Sequence, residues 1–141
     1  MRKAMRRRAR ERGSMSVEAV LLAPVLLLFL LLLVGAGRIV EAHGEVNGAA
    51  RDAARAASVE RTLGRARTAA ETAARDVLRD SCQGGARVSL AGSEWREGGS
   101  VRVEVSCTLD LSVVSGFGFA PVKEMSSSAV VPLERFRRVE G

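Results

Sequence analysis

Little in this sequence can do acid–base or metal chemistry. Of 141 residues, one is a histidine, two are cysteines, none is a tyrosine, and the aromatics are one tryptophan and four phenylalanines. His43 with Cys82 and Cys107 has no metal-ligand spacing, so no metal site is expected. No glycine-rich loop follows a strand pattern, which leaves no cradle for a phosphate. Ser112, Ser115, Ser126, Ser127 and Ser128 have no base in view that would make one of them a nucleophile. These absences exclude the common enzyme classes, and neither a catalytic residue nor a cofactor is expected. His43 reads as a solvated residue, and Trp95, Phe117 and Phe119 as local packing in loops.

Acidic residues are nearly missing from one place. Residues 1–13 carry Arg2, Lys3, Arg6, Arg7, Arg8, Arg10 and Arg12 against Glu11 alone, while the remaining 128 residues hold 15 basic and 15 acidic groups. The net charge of +6 therefore belongs to a short leader, and the body is neutral. A basic arm of this kind can bind nucleic acid. Here it abuts an apolar run, so it reads as a cytoplasmic topology signal, with no nucleic-acid partner.

From Ala19 to Gly37 there is no charged residue at all. That stretch makes about 28 Å of helix, enough to cross the hydrocarbon core of a bilayer. "LLLFLLLLV" has no polar face, unlike a helix of a soluble core. The arginine excess before the span predicts a cytoplasmic N-terminus, a single pass through the cytoplasmic membrane and residues 38–141 outside. A secretory signal is the rival reading: its apolar region is usually shorter, but "VGAG" at 34–37 offers small residues for a signal peptidase. Pro24 removes one N–H inside the span and is expected to bend the helix near its start.

Glu18 stands at the doorstep of this run. A carboxylate there can simply reach back to water. A cut after Gly13, however, would leave Ser14-Met15-Ser16-Val17-Glu18, with a new α-amine one helical turn from the carboxylate. A subunit entering a helical assembly could then neutralise the carboxylate of Glu18 with a neighbour's amine. Left unpaired at the membrane edge, either charge is costly to bury.

A basic leader, Gly13, four small or apolar residues, Glu18 and an apolar run resemble the processing pattern of type IV prepilin-like proteins. "RGSMSVEAVLLAPVLLLFLLLL" is similar to the TadE-like pseudopilins of tight-adherence (Flp) pilus systems. The likeness extends to the Ala-rich helix, "GGSVRVEVSCTLDL" and "SSSAVVPLERFRR", and so covers most of the chain. Ala19 departs from the aromatic that many family members carry after the glutamate, which leaves a TadE, TadF or TadG-like subtype open. The resemblance implies cleavage between Gly13 and Ser14 by a prepilin peptidase. It also implies a recognition or assembly role for Glu18, and partners among the pilus assembly platform and other pilin-like subunits.

Beyond Arg38 a second pattern begins. Ile39, Ala42, Val46, Ala49, Ala53, Ala56, Val59, Leu63, Ala66, Ala70, Ala73 and Val77 follow one another in steps of three and four. This predicts a continuous amphipathic helix over 38–83, with Gly84-Gly85 ending it and a break near 44–48 conceivable at Gly44 and Gly48. Alanines bury little area, roughly a third of what leucines would at about 25 cal/mol per Å². Such a helix needs cover, from its own sheet or from another subunit.

The remainder reads as strands. Val88 and Leu90 alternate with Arg87 and Ser89. Val101, Val103, Val105, Cys107, Leu109 and Leu111 alternate with Arg102, Glu104, Ser106, Thr108 and Asp110. "GSEWREGGS" between them is longer than a tight hairpin turn. A third strand is expected within 125–136, with Met125, Ala129, Val131 and Leu133 on one face and Pro132 favouring the edge. "VVSGFGFAPV" at 113–122 is unusually apolar for a loop.

The expected fold is α+β: a long N-terminal transmembrane and amphipathic helix packed on a small three-stranded antiparallel sheet, a pilin-like plan. The divisions are a leader 1–13, a span 14–37, an extracytoplasmic helix 38–83 and a β domain 84–141. Cys82 and Cys107 then lie outside, where disulfides persist. A bond between them would close a loop of 26 residues, worth about 3.5 kcal/mol in the chain-entropy model. Two buried free thiols remain the alternative. The functional expectation is a non-catalytic pilin-like subunit of a Tad (Flp) pilus or related secretion machine. An uncleaved envelope adaptor with a single span and a domain released by signal peptidase are the competing readings.

Overall fold

The computed structural model describes residues 2–116, 118 and 120–134, with side chains from residue 16 onward except Val113 and Val114. The chain divides into two compact units, Met1–Arg38 and Ile39–Gly141. The elements in order are α1 (Arg2–Ser58), α2 (Leu63–Leu78), β1 (Arg87–Ser89), β2 (Ser100–Asp110), α3 (Ser112–Ser115) and β3 (Val122–Pro132).

The first unit is helical, and α1 continues on both sides of Pro24. Its leucines have little cover among the described residues: Leu26 is 60% exposed and Leu31 46%.

The second unit is two-layered. Its sheet has the order β1-β2-β3, antiparallel throughout. β2 is the central strand, and its alternation sets the layers. Val101, Val103, Val105, Cys107 and Leu109 are buried, while Arg102, Glu104 and Asp110 are exposed on the opposite face. The buried face of β2 shares one apolar cluster with Val46, Ala49, Ala50, Ala53, Ala54 and Ala57 of α1 and with Ala66, Ala70, Ala74 and Leu78 of α2. Alanine suits this arrangement because it lets helix backbone approach the sheet, where valines supply the bulk.

The helix expected over 38–83 is in fact two. α1 runs through Gly44 and Gly48 without a break and stops at Ser58. The chain turns over residues 59–62, and α2 begins behind Thr62, whose hydroxyl accepts the Arg65 N–H at 3.3 Å. Val59 and Leu63, placed on the buried stripe by their spacing, are 54% and 43% exposed as a result. Past the turn the buried positions are 66, 70, 74 and 78, so Ala73 and Val77 are also displaced from the core. α2 ends at Leu78, before the glycine pair; Gly84 and Gly85 instead carry positive φ in the loop that follows.

β3 begins at Val122, earlier than its pattern predicts, and Pro132 closes it at the sheet edge. Phe136, within the predicted strand range, lies outside the described residues, as do Phe117 and Phe119 of the apolar loop. Trp95 and Leu90 pack against the margin of the core.

Candidate functional site

The residues singled out by sequence fall in two places. The first is the head of α1. Gly13 and Ser14 are helical in backbone, and their side chains lie outside the described set. Glu18 follows on the same helix with its side chain exposed, beside Val17 at 61% exposure, and it forms no ion pair among the described residues. After it comes a stretch long and apolar enough to cross a membrane, with a mean hydropathy of 2.9 over its most apolar window and almost none of that window buried by the chain itself. Exposed leucine over this length is not compatible with water and suggests a membrane anchor.

The second place is the junction of helix, turn and sheet in the other unit. Cys82 and Cys107 are disulfide-bonded with their Cα atoms 5.4 Å apart. Cys107 sits among the inward valines of β2, and Cys82 in the turn after α2, so the bond ties that turn to the central strand. Two hydrogen bonds fasten α1 nearby. The Ser81 hydroxyl donates to the Glu45 carboxylate, and the Ser127 hydroxyl to the Asn47 side-chain oxygen at 3.2 Å. Neither pair was visible in the sequence, because each joins residues far apart in the chain. Only the helical position of Glu45 and Asn47, the immediate neighbours of buried Val46, hints that they border the core.

At the far end of β2, Asp110 accepts the Ser112 N–H at 2.8 Å. That bond is the main reason the Asp110 carboxyl titrates below its ordinary value; the Ser112 side chain lowers it further, burial opposes, and the Gln83 side chain adds the least. The turn starts α3 and the apolar loop, which the Leu111 N–H closes onto the Pro121 carbonyl at 2.8 Å.

His43 is exposed on α1. Among the described residues no group of three or more His, Cys, Asp or Glu side chains could hold a metal ion. A groove between Glu60 and Asp76 lies along α2, floored by Gly64, Thr68, Thr72 and Ala73. Its walls are one helix and the turn before it, so it is a surface hollow and not an enclosed site.

Most of α1 resembles a known family. Residues 13–55 match the family model described as TadE-like protein. The TadE-like segment starts at Gly13 and takes in Glu18, the whole apolar span and the first alanines of the core. A TadE-like segment suggests a Tad pilus-associated protein. No curated protein and no solved structure matches the chain. The sheet, the disulfide and α2 all lie beyond the matched residues, so their roles rest on their own chemistry.

Proposed function

We propose that this chain is a non-catalytic pseudopilin or minor pilin-like subunit of a Tad (Flp) pilus or a related secretion machine. In this reading a prepilin peptidase cuts between Gly13 and Ser14. Residues 14–37 anchor the product once through the cytoplasmic membrane, and the disulfide-bonded domain stands outside.

One observation carries the proposal. Gly13 and Glu18 keep the prepilin spacing at the head of a charge-free, uncovered span, within a TadE-like segment that begins at Gly13. The chemistry is then done to the protein and not by it. Cleavage removes the seven basic residues of the leader and creates an α-amine at Ser14. Glu18, one helical turn on, offers the matching negative charge. In a bundle of such helices the amine of one subunit and the Glu18 carboxylate of a neighbour neutralise each other, which removes the cost of burying either alone.

The test of this role is Glu18→Gln. Gln keeps the shape and removes the charge. The variant is expected to insert and be cut at the same bond, but to lose piliation and cross-linking to the pilus machinery. Normal assembly would assign Glu18 only to the membrane edge, and loss of cleavage would assign it to peptidase recognition.

A further inference from the structure

The sheet protects its two edges unequally. On one side β2 is covered along most of its length. β1 pairs with Glu104, Val105 and Ser106. The Ser93 hydroxyl takes the place of a strand partner at Arg102, donating to its carbonyl and accepting its N–H, each at 3.0 Å. Glu94 bridges Ser100, and the Gln83 N–H donates to the Thr108 carbonyl at 2.8 Å. On the other side lies β3. It pairs with β2 in unbroken register from Asp110↔Val122 to Ser100↔Pro132, with no bulge. Among the described residues, only β2 makes backbone hydrogen bonds to Val122–Pro132. Among the described residues the outward half of its N–H and C=O groups is therefore an open row.

Nothing along the middle of that row repels a second strand. No charged residue lies between Glu124 and Glu134, and the only proline is at the end, Pro132. Lys123 and Glu124 guard one end alone. A long edge without a bulge and without charge along its middle is a template for strand pairing.

We propose that β3 pairs antiparallel with β3 of a second copy of this chain, about a two-fold axis at Ser127, to make one six-stranded sheet. This register sets the full length of both strands opposite each other. Met125 then faces Ala129 of the partner subunit, Ser126 faces Ser128 of the partner subunit, and Glu124 and Lys123 face Val130 and Val131 of the partner subunit. No like charges meet, and residues from the covered face meet only residues from the covered face, so both sheets turn their covered face to the same side. Pro132 falls opposite Val122 of the partner subunit, at the end of the ladder, where its missing N–H costs least. The pairing also closes on itself. The edges left are the outer sides of the two β1 strands, each only Arg87–Ser89 long, so a two-fold dimer forms and not a fibre. That closure is why a second copy fits this edge better than an unrelated strand.

Cysteine cross-linking in membranes containing the full-length chain tests the pairing, whether or not the leader has been cut. Chains carrying Ser126→Cys and chains carrying Ser128→Cys, with different tags, are co-expressed and oxidised. Both substitutions are near-isosteric, and the native cysteines are already bonded to each other. The mixed pair is expected to give several-fold more disulfide-linked dimer than either variant alone, and more than Arg102→Cys on the exposed face of β2. A mixed pair that links no better than the single variants, or links to a different polypeptide, would overturn the proposal.

Discussion

The Ser81 hydroxyl donates to the carboxylate of Glu45, 36 residues earlier in the chain. Ser81 lies one residue before the disulfide cysteine, and Glu45 one residue before buried Val46. The bond therefore couples the cross-linked turn to the helix that fills the core. A hydrogen bond to a charged acceptor contributes about 1.5 kcal/mol at the lower end of its range, the appropriate end for a half-buried pair. Ser81→Ala is expected to lower the stability of the full chain in detergent by about that amount, measured by thermal unfolding. An unchanged melting temperature would show that water replaces the serine at no cost.

The Cys82–Cys107 bond restrains a domain whose helices contribute mostly alanine to the core. Cys107→Ser is expected to cost about 2–5 kcal/mol, the usual loss for a native disulfide in a small exported domain. Thiol labelling of envelope protein under denaturing, non-reducing conditions should find no free thiol. Two reactive thiols per chain would contradict the bonded state.

Gly99 is buried where the loop meets β2, and an added Cβ would run into the Glu94 carbonyl oxygen, with the Arg96 carbonyl oxygen 3.0 Å away. Both obstacles are backbone and cannot swing aside. Gly99→Ala is expected to destabilise by about 1–3 kcal/mol, as overpacking does. Gly44 on α1 has nothing within 4 Å of its would-be Cβ, so Gly44→Ala should stabilise by up to about 1 kcal/mol through helix propensity. Denaturant midpoints of the two variants should move in opposite directions.

Asp110 gives the fold a pH dependence of definite sign. Its carboxyl titrates below the ordinary 3.8 because the Ser112 N–H favours the ionised form. A group with a lowered folded pKa stabilises fully above its unfolded value, and that contribution is lost as pH falls through the folded value. The stability difference between the native chain and Asp110→Asn should be largest above about pH 4 and shrink on further acidification. A difference that grows on acidification would contradict the assignment.

Much of the fold is legible in the sequence because β2 alternates without error and the span carries no charge. Those two patterns give the layers and the long apolar helix directly. The break after Ser58 is not legible, for a physical reason. Alanines surround this part of α1, with Ala49, Ala50, Ala53, Ala54 and Ala57 all buried, so spacing alone does not mark which stripe faces the sheet. The available signal was Thr62 ahead of Leu63, a residue type that caps helices. The role of Glu45 depends on where the chain returns at Ser81, which no local pattern encodes. Gly13 and Glu18 are legible as a motif, but the chemistry proposed for them lies between molecules and with a peptidase.

The proposed pilin-like role depends on one bond, between Gly13 and Ser14. N-terminal sequencing of the mature protein isolated from the membrane of its own host is the most direct measurement. A single start at Ser14 is expected, and Gly13→Val should block that cut by putting a branched side chain where the peptidase must meet a small one. An intact Met1 would contradict it in favour of an uncleaved anchor, and a start near Gly37 would contradict it in favour of ordinary secretion.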